Sequence, residues 1–131
     1  TVLGRLAPGR VPGRGSRPGD LVVCAGLPIS APRDEIRIGH PDQVPVDAVA
    51  AALASGVVHD ALPVGSKGLA WEVPQLAASE GLAVHWRNSG IARDDSGGPS
   101  SCVLFSCAPA DLDSVLAALA GAPTAVVAEL R

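Results

Sequence analysis

The stretch from Val57 to Glu72 holds the residues of this chain that are best suited to chemistry. Two β-branched residues run into His59-Asp60, and a loop with the sequence Gly65-Ser66-Lys67-Gly68 then leads into an apolar, helix-like segment. Backbone N–H groups at the start of a helix lack partners and attract anions, and glycine lets the backbone approach a ligand closely. The stretch therefore predicts an anion-binding turn. His59-Asp60 is either an acid/base pair beside it, or Asp60 simply caps the loop.

A second polar loop, DDSGGPSS at residues 94–101, offers backbone N–H groups and three hydroxyls ahead of a predicted strand. Either loop alone is typical of a turn, but two of them in one small domain make phosphate binding as good an interpretation as two turns. The first loop does not match the Walker A pattern GxxxxGK(S/T). Asp94-Asp95 fits a Mg²⁺ ligand beside a nucleotide phosphate or a solvated turn, and we favour the turn.

We assign no catalytic residue, and the predicted ligand-binding residues are His59, Asp60, Gly65, Ser66, Lys67, Gly68, Ser96, Gly97, Gly98, Ser100 and Ser101.

The cysteines and histidines do not form a metal-binding pattern. The three cysteines are an odd number without a CxxC pair, and the three histidines show neither HxxxH nor HxH spacing. Cys102 and Cys107 are five residues apart on a predicted strand, which places them on opposite faces of it. We therefore predict no metal site and expect buried, reduced thiols, as in a cytoplasmic protein.

The composition excludes two classes of partner. The chain has 131 residues and a net charge of −3, whereas a nucleic-acid binder needs clustered Lys and Arg for its phosphate contacts. There is no apolar run of about 18 residues, so no membrane-spanning segment is predicted. With 47% apolar but only 2% aromatic residues, the core must be built from aliphatic side chains. This suits a sheet covered by Ala-rich helices in one domain.

Strands alternate with helices along the chain, which predicts an α/β or α+β layered domain over residues 20–131. Residues 1–19 are rich in Gly, Pro and Arg and are predicted to be a flexible or irregular leading segment, with a basic arm as the alternative. The predicted helices begin at Pro45, near Ser66 or at Pro74, and at Ala110-Asp111. The predicted strands are residues 21–25, 36–38, 57–58, 82–86, 102–107 and 124–127.

Three stretches resemble a known family. They are residues 17–23 (RPGDLVV), His59-Asp60 with the loop Gly65–Gly68 and its helix, and residues 96–105 (SGGPSSCVLF). In this order they resemble the C-terminal domain of the aminoimidazole ribonucleotide synthetase (AIR synthase)-related superfamily. That group includes selenophosphate synthetase, thiamin-monophosphate kinase, formylglycinamide ribonucleotide amidotransferase and the hydrogenase-maturation dehydratase. Where many members have Thr and a Gly-Gly pair after His-Asp, this chain has Ala61 and Gly65-Ser66-Lys67-Gly68.

The resemblance implies a three-layer α/β (α+β) domain with a mixed sheet of about four main strands. It implies the substrate- or phosphate-binding domain of an ATP-dependent enzyme that is inactive alone, in which Lys67, His59 and the loop Gly97–Ser101 hold a small phosphorylated molecule or phosphate. The ATP and Mg²⁺ ligands are expected mostly in an N-terminal domain that this chain does not contain. Homo-oligomers are also expected. The alternative is a non-catalytic binding or assembly module that keeps the fold without a nucleotide site.

Overall fold

The fold is built around strand β1 (Leu21–Ala25), whose five residues are all buried. An uninterrupted apolar run such as LVVCA fits a strand that is covered on both faces. This computed structural model describes residues 15–131. The other elements are strands β2 (Val58–Pro63), β3 (Val84–Trp86), β4 (Val103–Cys107) and β5 (Thr124–Leu130), helices α1 (Val46–Ala54), α2 (Gly68–Ala78) and α3 (Leu112–Ala118), and a 3-10 turn at Pro109–Asp111.

The five strands form one sheet in the order β2-β4-β1-β5-β3, and every pairing in it is antiparallel. The α/β class is confirmed, but the sheet has five strands and antiparallel pairing rather than the mixed sheet of about four main strands that the resemblance implies. The physical reason is that two strands joined by a helix along the chain are not neighbours in the sheet. Strands β1 and β2 run in the same direction with β4 between them, and β4 and β5 run in the same direction with β1 between them.

Helices cover both faces of the sheet, so the predicted three layers are present. On one face, Leu69 and Val73 of α2 pack on alternate residues of β1 such as Val22. On the other face, α1 and α3 supply Ala52 and Val115. Side-chain alternation along the strands separates the two apolar clusters. The predicted separation of two cysteines is confirmed, because Cys102 lies in the α2 cluster and Cys107 lies in the cluster of α1 and α3.

Several element boundaries differ from the prediction. Residues 36–38 form no strand but part of an irregular connection between β1 and α1, and Ile38 is fully exposed. Two alternating isoleucines did not suffice to form a strand, because no described strand pairs with them and an unpaired strand is not stable alone. Strand β2 extends to Pro63, well beyond the predicted residues 57–58. Helix α2 begins at Gly68 and contains Pro74, so the earlier of the two predicted starts is the closer one.

The leading segment falls largely outside the described residues, since its positions 1–14 are not among them. Its last part is packed against the sheet. The Ser16 hydroxyl lies 2.9 Å from the Ser106 hydroxyl in a buried hydrogen bond. A Cβ atom on Gly15 would overlap the carbonyl oxygen of His59, so only glycine fits there without displacing the strand. Among the helices of residues 15–131, none is both long and apolar enough to cross a bilayer.

Candidate functional site

The two predicted polar loops lie against each other. The backbone N–H of Gly97 donates a hydrogen bond to the carbonyl oxygen of Gly65 at 3.0 Å. A Cβ atom on Gly97 would overlap the carbonyl oxygen of Val64, so the absence of a side chain is what permits this close approach. The loop that precedes α2 and the loop that precedes β4 therefore form one continuous surface at this edge of the sheet, as the phosphate-site prediction requires.

The first loop ends at the N-terminus of α2. Gly68 has a φ of +69°, and a Cβ atom there would lie 2.5 Å from the carbonyl oxygen of Arg93. That carbonyl accepts the N–H of Ala70 at 2.8 Å, and the N–H of Gly68 bonds Gly65. Several first-turn donors are thus already used. In the described part of the chain, the N–H groups of Ser66 and Lys67 have no acceptor, so they remain available to an anion.

The second loop is held by its own serines. The buried Ser101 hydroxyl accepts the N–H of Ile29 at 3.1 Å and donates to the carbonyl of Leu27 at 2.9 Å. Ser96 Oγ accepts the N–H of Gly98 at 3.0 Å. Ser100 is exposed and has a φ of +66°, a conformation that is uncommon for a residue other than glycine. Ser101 therefore positions the loop, whereas Ser100 faces solvent.

Two cations flank the joined loops, and each makes a cation–π contact with a tryptophan ring. Lys67 Nζ lies 3.7 Å from the ring centre of Trp71, and the guanidinium carbon of Arg93 lies 4.5 Å from that of Trp86. Sequence reasoning selected Lys67 but missed Arg93. The two tryptophans are the only ones in the chain, but nothing in their spacing shows that both carry a cation, because the pairs depend on how α2 and β3 pack.

His59 and Asp60 lie elsewhere. His59 is four residues before the end of β2 at Pro63, about 13 Å along the strand. The β2–β4 register shifts between Val58 and Asp60, so His59 sits at an irregularity of the strand. Burial raises the pKa of Asp60, whose Oδ1 accepts the N–H of Ala61. The structure therefore brings the glycine and serine residues together with Lys67 and does not bring His59 and Asp60 to them.

The actual partner of His59 is Asp20, a carboxylate that the sequence selected only as part of the family-like stretch at residues 17–23. His59 Nδ1 lies 2.8 Å from Asp20 Oδ2, and the side chains are 12% and 3% exposed. The same oxygen accepts the N–H of Arg17 at 2.8 Å. This buried interaction ties the chain ahead of β1 to the edge strand β2, which is a structural role for both residues.

A cavity of about 570 Å³ lies on the other side of the second loop. Pro99 and Ser100 form one wall, and His40, Val44 and Val46 from the β1–α1 connection and α1 form another. The volume is in the range of small-molecule sites. None of the residues of the first loop lines this cavity, so it adjoins the surface that the two loops share only through Pro99 and Ser100 of the second loop.

A Mg²⁺ site does not fit the donor set of this region. Asp95 Oδ2 is engaged by the Arg33 guanidinium at 3.1 Å, which leaves Asp94 as the free carboxylate of the pair. Residues 15–131 contain no group of three or more His, Cys, Asp or Glu side chains that could hold a metal ion. Mg²⁺ bound between this loop and a phosphate would need further ligands from elsewhere.

The structure is similar to solved structures of two proteins, PurL and HypE. No protein-family model and no curated protein sequence matches the chain. Thermotoga maritima PurL complexed with ATP matches with a TM-score of 0.72 and 21% identity over 92% of this chain and 23% of that chain. The E. coli hydrogenase maturation protein HypE matches with a TM-score of 0.69 and 14% identity over 90% of this chain and 45% of that chain. A HypE complex with ATP matches with a TM-score of 0.70 and 16% identity.

This chain thus spans less than half of HypE and less than a quarter of PurL. The predicted resemblance is confirmed at the level of the fold, since PurL and HypE both belong to the AIR synthase-related superfamily. In its fold, the chain resembles a part of these AIR synthase-related proteins.

Proposed function

We propose that this chain is the substrate- or phosphate-binding C-terminal domain of an AIR synthase-related, ATP-dependent enzyme that transfers a phosphoryl group to a small molecule. The single observation that carries the proposal is the contact between the two loops through Gly97 and Gly65. It makes one anion-binding surface out of two sequence motifs. Structures of PurL and HypE with ATP support a nucleotide-dependent reaction in proteins of this fold.

In this proposal, the chain contributes positioning and charge. The free N–H groups of Ser66 and Lys67 lie at the positive end of the 11-residue helix α2, and the Lys67 ammonium adds a full charge. Fixed donors of this kind stabilise phosphate oxygens without needing to reorganise. Phosphoryl transfer depends mainly on such positioning and electrostatics. ATP and Mg²⁺ would be held mostly by residues outside this chain, so the chain is inactive alone.

The proposed ligand residues are therefore those of the two loops. Gly65, Gly68, Gly97 and Gly98 shape the backbone, and Ser66, Lys67, Ser96 and Ser100 offer donors, with Ser101 as a positioning residue. His59 and Asp60 are also predicted ligand residues, but their place on β2 gives no support for a part in this surface.

A second candidate function is a non-catalytic binding or assembly module. The specific observation in its favour is the exposure of large apolar side chains, since Ile38 and Val46 are 104% and 85% exposed near one another at the rim of the cavity. Exposed apolar groups that lie together are typical of interaction surfaces. A HypE–HypF complex shows that one protein of this fold assembles with another protein.

A thermal-shift screen separates the two functions. The purified chain is heated with inorganic phosphate, ribose 5-phosphate, ADP or ATP, each with and without Mg²⁺. A ligand at about 100 times its Kd should stabilise the fold by about 2.7 kcal/mol, which is a measurable rise in Tm. A shift with phosphate or ribose 5-phosphate that Lys67→Ala abolishes supports the enzyme domain. No shift with any of them contradicts it and favours the assembly module.

A further inference from the structure

We propose that the outer edge of strand β3 binds a second copy of this chain, with the two β3 strands antiparallel about a two-fold axis at His85, so that two five-stranded sheets become one. The proposal rests on the backbone of an edge strand and not on the proposed phosphate-binding surface. Each of the two proposals can therefore stand or fail without the other.

The sheet has two edge strands, β2 and β3, and β2 is protected against pairing. Because the N–H of Val64 donates to the carbonyl of Cys102 in β4, residues 61 and 63 face outward. The outward N–H of Ala61 is bound by Asp60 Oδ1 at 2.8 Å, and Pro63 has no N–H to donate. The β2–β4 register also shifts before Asp60. Proline and such irregularities are the means by which proteins prevent a sheet edge from pairing.

Strand β3 has neither a proline nor a register shift, and its outward groups follow from its pairing with β5. Ala83 and Arg131 exchange two backbone hydrogen bonds, at 2.6 and 3.0 Å. Since the bonded side alternates along an antiparallel strand, residues 83, 85 and 87 bond to β5. Val84 and Trp86 therefore direct their N–H and C=O groups to the outer edge. Within residues 15–131 these groups have no hydrogen-bond partner.

The outward groups fit an antiparallel copy of the same strand. Val84 and Trp86 lie symmetrically about His85, so a two-fold axis at His85 places Val84 of each copy opposite Trp86 of the other. Opposed residues of this kind exchange both of their hydrogen bonds, so every outward group of both strands is paired. A register shifted toward Leu82 would leave an unpaired group, because the Leu82 N–H already donates to the Ala77 carbonyl at 3.0 Å. The edge is thus complementary to itself, as a two-fold interface requires.

The side chains on both faces of β3 are compatible with this pairing. Val84 and Trp86 are half-buried and pack against the α2 cluster, and a cross-strand pair of an aromatic and a β-branched residue is favourable. On the other face, Arg87 is directed back to β5, since its Nη2 lies 3.0 Å from Glu129 Oε2. The exposed His85 of each copy would lie opposite His85 of the other.

Sedimentation equilibrium of the full chain tests the dimer. A contact through one short strand belongs to the small, transient class of interfaces, so we expect the chain to pass from monomer to dimer as its concentration rises to about 1 mM. A chain that stays monomeric over this whole range contradicts the proposal.

His85→Glu and His85→Lys locate the axis. Each variant alone places like charges opposite each other and should weaken the dimer by about tenfold or more. An equimolar mixture of the two should restore association, because a carboxylate then faces an ammonium. Residue 85 is exposed, so the Tm of both variants should stay close to that of the unmodified chain. Ala50→Glu and Ala50→Lys are the matched controls, with the same changes of charge at an exposed position of α1, and should leave the dimer unchanged.

A disulfide tests the register directly. The three native cysteines are buried, and facing residues that are not hydrogen-bonded to each other have Cα atoms about 4.5 Å apart, within the range of a disulfide. His85→Cys should therefore form a covalent dimer on mild oxidation, whereas Ala50→Cys should not. If the unmodified chain dimerises but the charge variants at position 85 do not weaken the dimer and His85→Cys does not cross-link, the dimer forms through another surface and the proposal is wrong.

Discussion

Gly97 and Gly65 are joined by a backbone hydrogen bond of 3.0 Å, and this bond converts two polar loops into one surface. Gly97 is buried, and its Cα faces the carbonyl of Val64 so closely that a methyl group does not fit. Gly65, on the other side of the bond, has only the end of the flexible Glu72 side chain near it. The two glycines are therefore not equivalent, although both lie in glycine-rich loops.

Gly97→Ala should destabilise the fold and separate the loops. The new Cβ atom must displace backbone, and overpacking of this kind costs about 1–3 kcal/mol. Gly65→Ala is the control, because the Glu72 carboxylate can move away and the cost should stay below about 1 kcal/mol. Urea denaturation of the two variants measures both values. Equal stability of Gly97→Ala and the unmodified chain would show that the loops do not need this close contact.

His59 and Lys67 should respond in opposite ways to truncation. His59→Ala leaves the buried Asp20 carboxylate with the Arg17 N–H as its remaining described partner, so stability should fall by about 1–3 kcal/mol. Ribose 5-phosphate affinity should change less than twofold, because the loops are at the other end of β2. Lys67→Ala should lower that affinity with little change in Tm. A His59→Ala chain with normal Tm and weakened phosphate binding would contradict this assignment and return His59 to the ligand site.

Asp60 should make stability depend on pH in the opposite sense to a paired carboxylate. Burial raises its pKa in the folded chain above the ordinary value. The folded state then binds the Asp60 proton more tightly than the unfolded state does. The free energy of unfolding therefore rises as the pH falls through the raised pKa, and at higher pH the buried carboxylate destabilises the fold. Asp60→Asn keeps the oxygen that accepts the Ala61 N–H. It should be more stable than the unmodified chain at pH 7, and the difference should shrink toward pH 4. Lower stability of Asp60→Asn at pH 7 would overturn this account.

The three cysteines should be unreactive in the folded chain. Cys24, Cys102 and Cys107 are all buried. Burial, with the nearby charges of Asp20 and Asp111, raises the pKa of Cys107 to about 11, and the thiolate is the reactive form. The hydrogen bond with Cys24 lowers the pKa of Cys102, so burial alone protects that thiol. A chromogenic disulfide reagent at pH 8 should find no thiol in the native protein and three after denaturation. Rapid modification of any one thiol under native conditions would show that its strand opens.

The apolar patterns of the sequence predicted the core, because the buried face of a strand follows from the order of neighbouring residues along it. LVVCA became the central strand, and the period of two placed Cys102 and Cys107 on opposite faces. The same patterns also indicated strands linked by helices, but not that β4 and β1 are inserted between the linked strands. That choice depends on pairing between distant segments. Residues 36–38 have a strand-like pattern and found no partner among the described strands.

The contact between the two loops joins residues that the sequence had selected, whereas contacts in which a side chain meets a distant partner were missed. Gly65 and Gly97 were both selected from the sequences of their loops, and a backbone hydrogen bond joins them. Asp20 was selected only as part of residues 17–23, and its hydrogen bond to His59 joins residues far apart in the chain. His59 and Asp60 are neighbours in sequence, but neither is the other's partner. The placement of Arg93 over Trp86 likewise follows from packing alone.

The most direct test of the phosphate surface is a map of backbone amide shifts by two-dimensional nuclear magnetic resonance, with ribose 5-phosphate titrated into the ¹⁵N-labelled full chain. We expect saturable shifts that are largest at Ser66, Lys67 and the amides of residues 96–101, with little change at His59. Shifts confined to residues around His40 and Val46 would place the ligand in the adjoining cavity. That result, or the absence of any saturable shift, would contradict the proposed phosphate-binding surface of the two loops.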